Sequence, residues 1–346
     1  MKERDLIATI NAVVGKGAEV PRDLLMGIGD DCAVVAGTDN RVWLLSVDTL
    51  VEMVHFDPAF HPPEQLGRKA VSVNVSDIAA MGGEPKFLLL SLGIASGDTG
   101  DNTGNWLERF TRGFVSACQD YGCLLIGGDT VQSRESVISV TVIGEMDREL
   151  VCYRHGAQEG DLIWVSGALG RAAAGLALCQ EGRFSPGRDQ EYAELINAHL
   201  DPVARIKLGR LLATSGLVHC MMDVSDGPAT DLAHICRQSK LGARLEAHRL
   251  PLSSEVERVA KQLGLDPLQL MLAGGEDYEL LFTTAAGDAQ AVERLTAQAG
   301  YTIYQIGRMV RGNGVQLVVS DVDSKGKDKV VDITYQGYDH FTAHHP

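Results

Sequence analysis

The sequence predicts an α/β or α+β protein built from two domains of similar size. Predicted strands and helices are interspersed along the whole of its 346 residues, and a chain of that length usually forms about two domains. Hydrophobic residues make up 45% of the chain and charged residues 22%, which is ordinary for a globular protein. We interpret 148–160 as the joint and therefore place the domains at 1–147 and 148–346.

The first half mixes strands with two clear helices. One helix is predicted from Pro63 to Met81, because the following Gly82-Gly83 is typical of a helix C-terminus. A second helix is indicated by an apolar stripe at a spacing of three to four residues, which we assign to the core: Trp106, Phe110, Phe114, Cys118 and Tyr121. The alternating segment 137–143 predicts a strand.

The second half combines strands and helices in the same way. The predicted strands are 162–165, the segment that ends at Asp223, and 278–283. The predicted helices are 172–179, 190–199, 202–214, one that begins near Pro228, 254–263 and 288–299. Lysines and aspartates that alternate over 323–329 predict a solvated hairpin loop.

Charge and cysteine content exclude several classes of protein. The net charge is −15, from 31 basic and 46 acidic residues, and nonspecific nucleic-acid binding depends on basic stripes. Seven cysteines without a CxxC pair argue against a zinc ribbon or a disulfide framework, and for reduced thiols in a cytoplasm. The longest apolar run, 87–95, is well below the ~18 residues of a membrane span, and the acidic N-terminus does not resemble a signal peptide. We expect a cytoplasmic protein that binds neither nucleic acids nor membranes.

Single aspartates recur where predicted strands end or helices begin. They lie in five motifs: Gly29-Asp30-Asp31, Ser46-Val47-Asp48, Asn74-Val75-Ser76-Asp77, Gly127-Gly128-Asp129 and Asp223-Val224-Ser225-Asp226. Strand ends converge in α/β sheets, and two like charges about 4 Å apart repel by roughly 4 kcal/mol at an effective dielectric near 20. The acids therefore either stay apart or are held together by divalent cations. Magnesium fits the second case, because it takes few protein carboxylates per ion and shares its remaining positions with water and phosphates.

Each of these residues also has a structural interpretation. Asp226 before Gly227-Pro228 fits a helix N-cap, Asp129 fits a turn, and Asp31 is expected to face water. A lone histidine in an apolar stretch, such as His55, is more often structural than a ligand contact. Glu276 fits a turn cap as well as a contact to a polar substrate group. One such motif decides little, but five in one chain favour a metal-dependent site.

The common nucleotide-binding and hydrolase motifs are absent from the sequence. There is no Gly-x-x-x-x-Gly-Lys-[Ser/Thr] P-loop, no His-Arg-Asp kinase loop and no Gly-x-Ser-x-Gly elbow. The segment Gly167-Ala168-Leu169-Gly170 carries only part of a dinucleotide fingerprint. A protein of this sequence that handles phosphates would use metal ions, Gly-rich backbone amides and isolated basic residues such as Arg154.

Taken in order, the motifs resemble those of the thiamine-monophosphate kinase family, within the PurM-like (aminoimidazole-ribonucleotide synthetase-like) superfamily of ATP enzymes. The aspartate motifs are common to the superfamily, whereas the turn Gly274–Leu280 and the ending Gly337–Phe341 point to this family. The resemblance implies a PurM-like two-domain fold, with an N-terminal α/β domain that contributes to a dimeric β-barrel and a C-terminal α+β domain. It also implies a homodimer that uses several Mg²⁺ ions to transfer the ATP γ-phosphoryl group to thiamine monophosphate.

The resemblance also implies which residues form the site. The magnesium ligands would be Asp30, Ser46, the Val47 carbonyl, Asp48, Asp77, Asp129, Asp223 and Asp226. ATP would contact Gly128, Asp129, Arg154 and Ser225, and thiamine monophosphate would contact His55, Glu276 and Tyr338. The adenine contact is expected near 106–113, where this chain has Thr111 in place of a tyrosine. No catalytic acid, base or nucleophile is expected, because phosphoryl transfer to an ionised phosphate depends on positioning and electrostatics.

Two other functions stay open on the sequence alone. One is another PurM-like synthetase, of the aminoimidazole-ribonucleotide or selenophosphate type, although residues 1–26 hold no reactive cysteine of the selenophosphate kind and 343–346 hold none of the hydrogenase-maturation kind. The other is a non-catalytic relative that binds nucleotide or cations without turnover. Measuring turnover distinguishes these cases.

Overall fold

The computed structural model describes residues 2–14, 20–95, 101–182, 192–320 and 328–341, with the backbone alone at 101–104. The helices are α1 (Glu3–Val14), α2 (Pro63–Ala80), α3 (Asp101–Tyr121), α4 (Arg171–Gln180), α5 (Ala193–Leu200), α6 (Ile206–Thr214), α7 (Pro228–Ser239), α8 (Ser254–Leu263), α9 (Pro267–Ala273) and α10 (Ala289–Gln298). The strands are β1 (Leu24–Met26), β2 (Ala33–Ala36), β3 (Arg41–Val51), β4 (Glu84–Ala95), β5 (Leu124–Ser133), β6 (Val137–Asp147), β7 (Leu162–Val165), β8 (Val218–Asp223), β9 (Gly242–Glu246), β10 (Leu280–Thr284), β11 (Tyr304–Val310), β12 (Gly314–Val319) and β13 (Lys329–Asp332).

The first sheet has the strand order β1-β2-β3-β6-β4-β5. Its strands β3 and β6 pair antiparallel over their full length, and β5 pairs in parallel with β4 and forms an edge. Side chains alternate between the two faces of a strand. On β3, Val42 and Leu44 are buried beneath α2, whereas Trp43 and Val47 point to the opposite, exposed face. Among the described residues, helices therefore cover only one side of this sheet.

Helix α2 lies at the centre of the molecule. It begins with Pro63 at its first position, where a missing N–H is harmless, and it ends before Gly82, whose φ of +73° suits a helix C-terminus. Most of its side chains between Leu66 and Ala80 are buried, because it packs against the first sheet, α3, α6 and β8. A helix that is buried on all sides is a core element.

Two glycines allow α2 and α3 to pack closely. A Cβ atom at Gly113 would lie 1.9 Å from the carbonyl oxygen of Glu64, and one at Gly67 would lie 2.1 Å from that of Phe110. We expect Gly113→Ala to lower the free energy of unfolding by about 3 kcal/mol. This is the upper end of the usual cost of an overpacking substitution, because the backbone itself must move. Urea unfolding measures this loss. Gly287→Ala, which meets no atom within 4 Å, is the control, and an equal loss in both variants would contradict the prediction.

The second sheet has the order β13-β12-β9-β11-β7-β10-β8. Its central pairs are antiparallel, and β12 pairs with β9 in parallel. Trp164, Met221 and Phe282 of this sheet belong to the same hydrophobic core as α2 and the first sheet. The C-terminal end of β8 is therefore held against α2. Among the described helices, none combines the length and the apolar character that a bilayer crossing requires.

Most predicted elements are present, and the differences have local causes. The helix predicted over 202–214 begins only at Ile206, after Arg205 in a non-helical conformation. Helices α1 and α9 were not predicted. The strand predicted from Tyr278 begins at Leu280, because Tyr278 has a φ of +49° that no strand accommodates. The predicted hairpin loop at 323–329 lies largely outside the described residues. The proposed division at 147/148 coincides with the end of β6.

Candidate active site

A cavity of about 560 Å³ lies where β3, α2 and the loop after β8 meet. Residues from both halves of the chain line it. Most of the predicted site residues are among them: Ser46, Asp48, His55, Asp77, Arg154, Asp223, Ser225, Asp226, Glu276 and Tyr338. The fold therefore brings together motifs that are up to 290 residues apart in the printed sequence, roughly the distance from Asp48 to Tyr338.

Three carboxylates form the centre of this cavity. Oxygen atoms of Asp31, Asp77 and Asp223 all lie within 4.8 Å of one another. Two serines orient them: the Ser46 hydroxyl donates to Asp77 Oδ2 at 2.5 Å, and the Ser76 hydroxyl donates to Asp223 Oδ2 at 2.5 Å. The segment before β2, helix α2 and the end of β8 thus each contribute one carboxylate to the cluster, and β3 contributes the Ser46 hydroxyl.

Helix α2 also fixes the position of strand β3. The Asp48 backbone N–H donates to Asn74 Oδ1 at 2.9 Å, and the Asn74 amide in turn donates to the Ala70 carbonyl at 2.9 Å. Asn74 and Asp77 are three residues apart on α2 and so lie on the same face of the helix. The asparagine fixes the strand that carries Asp48, and the aspartate joins the acidic cluster.

Electrostatics show that these acids are unfavourable as a bare cluster. Burial, with repulsion from Asp31, raises the pKa of the Asp223 carboxyl to about 7, and burial raises the pKa of Asp48 to about 6. Burial and the neighbouring aspartates also raise the pKa of Asp77 well above its usual value. Asp31 Oδ2 is buried and has no hydrogen-bond partner among the residues that the structure describes. Hard oxygen donors with raised pKa values and an unsatisfied oxygen fit magnesium.

The expectation that Asp31 faces water is wrong. Asp31 is 6% exposed, and its Oδ1 accepts from Arg154 Nε at 3.0 Å. Asp30 instead turns toward the backbone, where its carboxylate oxygens accept the N–H of Arg154 at 3.1 and 3.2 Å. The two carboxylates therefore point in different directions, and only Asp31 reaches the cluster. The structure places Asp31 there, and Asp30 does not line the cavity.

Asp226 does not cap helix α7, so its N-cap interpretation is also wrong. The N-cap is Gly227, without a side-chain hydrogen bond, and the Asp226 side chain lines the cavity, where burial raises its pKa to about 7. The loop that carries it is held on both sides. The Ser225 carbonyl accepts the Glu276 N–H at 2.7 Å, and the Asp226 carbonyl accepts the Tyr338 N–H at 2.9 Å.

The far side of the cavity is lined by rings and suits an organic substrate. His55 Nδ1 accepts the Val51 backbone N–H at 3.1 Å, which leaves the proton of the neutral ring on Nε2. Burial, together with His340, lowers the pKa of His55 to about 4, so the ring is a neutral donor near pH 7. Its centroid lies 4.9 Å from that of His340, which meets the Tyr338 ring edge-on at 4.8 Å. His340 was not predicted, although it belongs to the aromatic ending that carried the resemblance.

The three acids of the turn 274–279 have different roles: two stabilise the fold, and one lines the cavity. Asp277 accepts the backbone N–H groups of Gly170 at 2.6 Å and Ala172 at 3.1 Å, and so caps the start of α4. Glu279 pairs with Arg205 and accepts from the Ser166 hydroxyl. Among the acids of this turn, Glu276 lines the cavity. It caps no turn: its carboxylate meets the ammonium of Lys69, from α2, at 2.8 Å.

Besides Asp30, three more of the predicted site residues do not line the cavity of their own chain. The Val47 side chain is 58% exposed on the uncovered face of the first sheet. Gly128 and Asp129 lie on edge strand β5, and the register Thr49–Ser139–Ser91–Asp129 runs across the sheet on that uncovered face. Asp129 is three strands from β3, roughly 14 Å at ~4.8 Å per strand, and faces away from Asp48. Thr111, the expected adenine neighbour, is exposed on α3 and does not line the cavity.

Comparison with known proteins identifies the family. Two family models match, the AIR synthase related protein N-terminal domain over 29–146 and the C-terminal domain over 158–320. The thiamine-monophosphate kinase of Haemophilus influenzae is 40% identical over 258 residues, 75% of each chain, and that of Escherichia coli K12 is 36% identical over 323 residues, 93% of each. The chain belongs to the thiamine-monophosphate kinase family.

A solved structure extends this relation to the whole fold. The structure described as AaThiL complexed with AMPPCP and TMP matches with a TM-score of 0.79 and 34% identity, over 94% of this chain and 96% of that one. The predicted PurM-like two-domain fold is therefore confirmed, as is the resemblance to the family. The acidic cluster and the ring-lined wall described above are thus the candidate active site of a family member.

Proposed function

We propose that this chain transfers the γ-phosphoryl group of ATP to the phosphate of thiamine monophosphate, giving thiamine diphosphate and ADP. One observation carries the proposal: the Asp31–Asp77–Asp223 cluster shares a single cavity with His55 and Glu276. Related proteins named thiamine-monophosphate kinase, and the AaThiL structure with AMPPCP and TMP, support this pair of substrates.

The chemistry requires charge compensation and alignment more than proton transfer. The acceptor phosphate is ionised at neutral pH, so no general base is needed, and the barrier is lowered by holding two polyanions in line. Magnesium would be held by Asp31, Asp48, Asp77, Asp223 and Asp226 with the Ser46 hydroxyl, and would supply the positive charge that the phosphates need. The Arg154 guanidinium adds fixed positive charge on the nucleotide side. On the acceptor side, the Nε2–H of neutral His55 is a donor for an oxygen of the acceptor.

The function is tested by substrate-dependent turnover. Purified protein with ATP and Mg²⁺ should release ADP only when thiamine monophosphate is added, and chromatography should identify thiamine diphosphate as the product. Nucleotide binding without turnover would instead support a non-catalytic relative, and turnover with another acceptor would support another PurM-like synthetase. Direct transfer inverts configuration at a chiral γ-phosphorus, so retention would contradict it.

We also propose that the protein is a homodimer joined through the uncovered face of its first sheet. Trp43, Val47, Phe87 and Leu89 expose apolar surface on this face, and large exposed apolar patches mark interfaces. Within the described part of the chain, edge strand β5 has no strand partner on its outer side, so its backbone groups there are available for pairing. A second copy packed here would cover the apolar face. It would also explain how Gly128 and Asp129 can be site residues. They are remote from the cavity of their own chain, but they would be available to the cavity of the partner.

Leu89→Lys tests the dimer. Leu89 is 37% exposed in the single chain, so the folded protomer tolerates lysine there, whereas a charge inside an apolar interface does not pair. We expect sedimentation to give the mass of two chains for the wild type and of one chain for the variant, with turnover lost in parallel. The control is Leu265→Lys, the same change at a 39% exposed site in the C-terminal half. A wild-type protein that sediments as one chain would contradict the proposal.

A cytoplasmic location is a further proposal. The seven cysteines are buried free thiols, and free thiols suit a reducing compartment. The proposed reaction also needs ATP and magnesium, which are available there. Fractionation of cells that express the tagged full chain would test this location, and recovery from an oxidising compartment would contradict it.

A further inference from the structure

Lys69 is a buried cation that no sequence motif singled out. It lies in the middle of α2 and its side chain is fully buried. The ammonium donates to Glu276 Oε2 at 2.9 Å and to the His55 carbonyl at 3.3 Å, and lies 2.8 Å from Glu276 Oε1. Its three N–H donors thus meet three acceptors, both oxygens of one carboxylate among them. A buried lysine is rare unless it is paired in this way.

The partner carboxylate is held in an uncommon backbone conformation. Glu276 has a φ of +58° and Tyr278 a φ of +49°, and non-glycine residues persist in this region only where the surroundings enforce it. The Glu276 N–H donates to the Ser225 carbonyl at 2.7 Å, and the Tyr278 N–H donates to the Val224 carbonyl at 2.9 Å. The turn is therefore fixed to the loop that carries Asp223 and Asp226.

A second basic residue approaches the same carboxylate. His199 Nδ1, on α5, lies 2.9 Å from Glu276 Oε2, although it is not aligned for a hydrogen bond. Burial alone would raise the pKa of Glu276, but the Lys69 ammonium and the adjacent His199 together hold that pKa well below the usual value. Glu276 is thus an ionised group with fixed orientation. A carboxylate has about four acceptor sites, so pairing with Lys69 leaves others for the cavity.

The charge of this pair bears on the acceptor. The cavity already contains at least five aspartates, and the acceptor carries a phosphate. An unpaired Glu276 would add a further negative charge beside that phosphate in a partly desolvated site, where charges interact more strongly than in water. With Lys69 in place, the Lys69–Glu276 pair has no net charge, and Glu276 still offers hydrogen-bond acceptors to the cavity.

We propose that Lys69 is a positioning residue for the acceptor side of the site. It orients the Glu276 carboxylate toward the substrate and cancels its charge. The inference rests on the proposed function, because it concerns the binding of thiamine monophosphate. It adds a residue of α2, in the first half of the chain, to a contact that the sequence assigned to the turn 274–279 alone.

The test separates acceptor binding from nucleotide binding. In Lys69→Met we expect the KM for thiamine monophosphate to rise at least about tenfold, because one partner of a buried charge pair is lost, while the KM for ATP changes less than about twofold. Lys261→Met is the control, the same change at an exposed position of α8. An equal rise in both KM values, or no rise, would overturn the proposal.

A double-mutant cycle keeps the proposal testable if Lys69→Met alone does not fold. Removing both charges leaves neither an uncompensated carboxylate nor an uncompensated ammonium, so Lys69→Met/Glu276→Gln should be at least as stable as Glu276→Gln, in which the ammonium has lost its partner. If Lys69 acts through Glu276, the two proteins should have acceptor KM values within about twofold. A further tenfold rise in the double variant would overturn the proposal. A wild-type protein without thiamine-monophosphate-dependent turnover would refute the proposed function instead, so the two failures are distinguishable.

Discussion

Asp77→Asn is expected to lower the rate of thiamine diphosphate formation by about a thousandfold or more. Asp77 is the α2 member of the buried acidic cluster, and a bound metal ion stabilises the charge of the transition state by several kcal/mol. Since each 1.4 kcal/mol is a factor of ten in rate, loss of about 4 kcal/mol gives the stated effect. Turnover at saturating ATP, acceptor and Mg²⁺ measures it.

The same substitution should have the opposite effect on the stability of the metal-free protein. It removes one charge from a cluster whose members repel one another, so Asp77→Asn should unfold at a higher temperature than the wild type in EDTA. Asp23→Asn, at an exposed position before β1, controls for the chemical change itself. If Asp77→Asn retains turnover, Asp77 is not a metal ligand.

Removal of magnesium is expected to destabilise the protein strongly at pH 8 and weakly at pH 5. The folded-state pKa values of Asp223 and Asp226, about 7, and of Asp48, about 6, lie above the ordinary carboxyl value of 3.8. Between about pH 4 and pH 7 the folded metal-free protein therefore binds more protons than the unfolded chain, and its stability falls as pH rises. One carboxyl group whose pKa shifts from 3.8 to about 7 on folding accounts for a loss of about 4 kcal/mol in the free energy of unfolding as the pH rises.

Magnesium binds the ionised carboxylates, so its stabilising effect should grow over the same pH range. Thermal unfolding from pH 4.5 to pH 8, with excess Mg²⁺ and with EDTA, measures both trends. The two curves should diverge above pH 6. Parallel curves, or a metal-free midpoint that rises with pH, would show that the acids do not form a metal site.

The sequence predicted the site where chemistry and local pattern coincide. Aspartates that interrupt apolar runs are visible without a structure, because such runs seldom end in repeated acids by chance, and Asp48, Asp77 and Asp223 were found in this way. The sequence pattern singled out Glu276 without deciding between a turn cap and a substrate contact. Tyr338 was found only through the family resemblance, since an aromatic ending has many structural uses.

Other parts of the site depend on geometry that no short segment contains. Whether Asp30 or Asp31 reaches the cluster depends on how the turn before β2 packs against Arg154. Lys69 would ordinarily be placed on a solvated helix face, because its partner lies 207 positions away in the sequence. The position of Asp129 follows from the strand order, in which β5 joins the far side of β4 rather than β6, and local patterns do not determine strand order.

Helix α2 has one more consequence for the reaction. It carries Lys69 near the acceptor wall and Asp77 in the acidic cluster, eight positions apart in a continuous helix, or roughly 12 Å at 1.5 Å per residue. A single buried helix thus carries residues of both the acceptor side and the proposed metal site. The distance between the donor and acceptor sites is therefore fixed by the rise per residue of α2 as soon as the chain has folded.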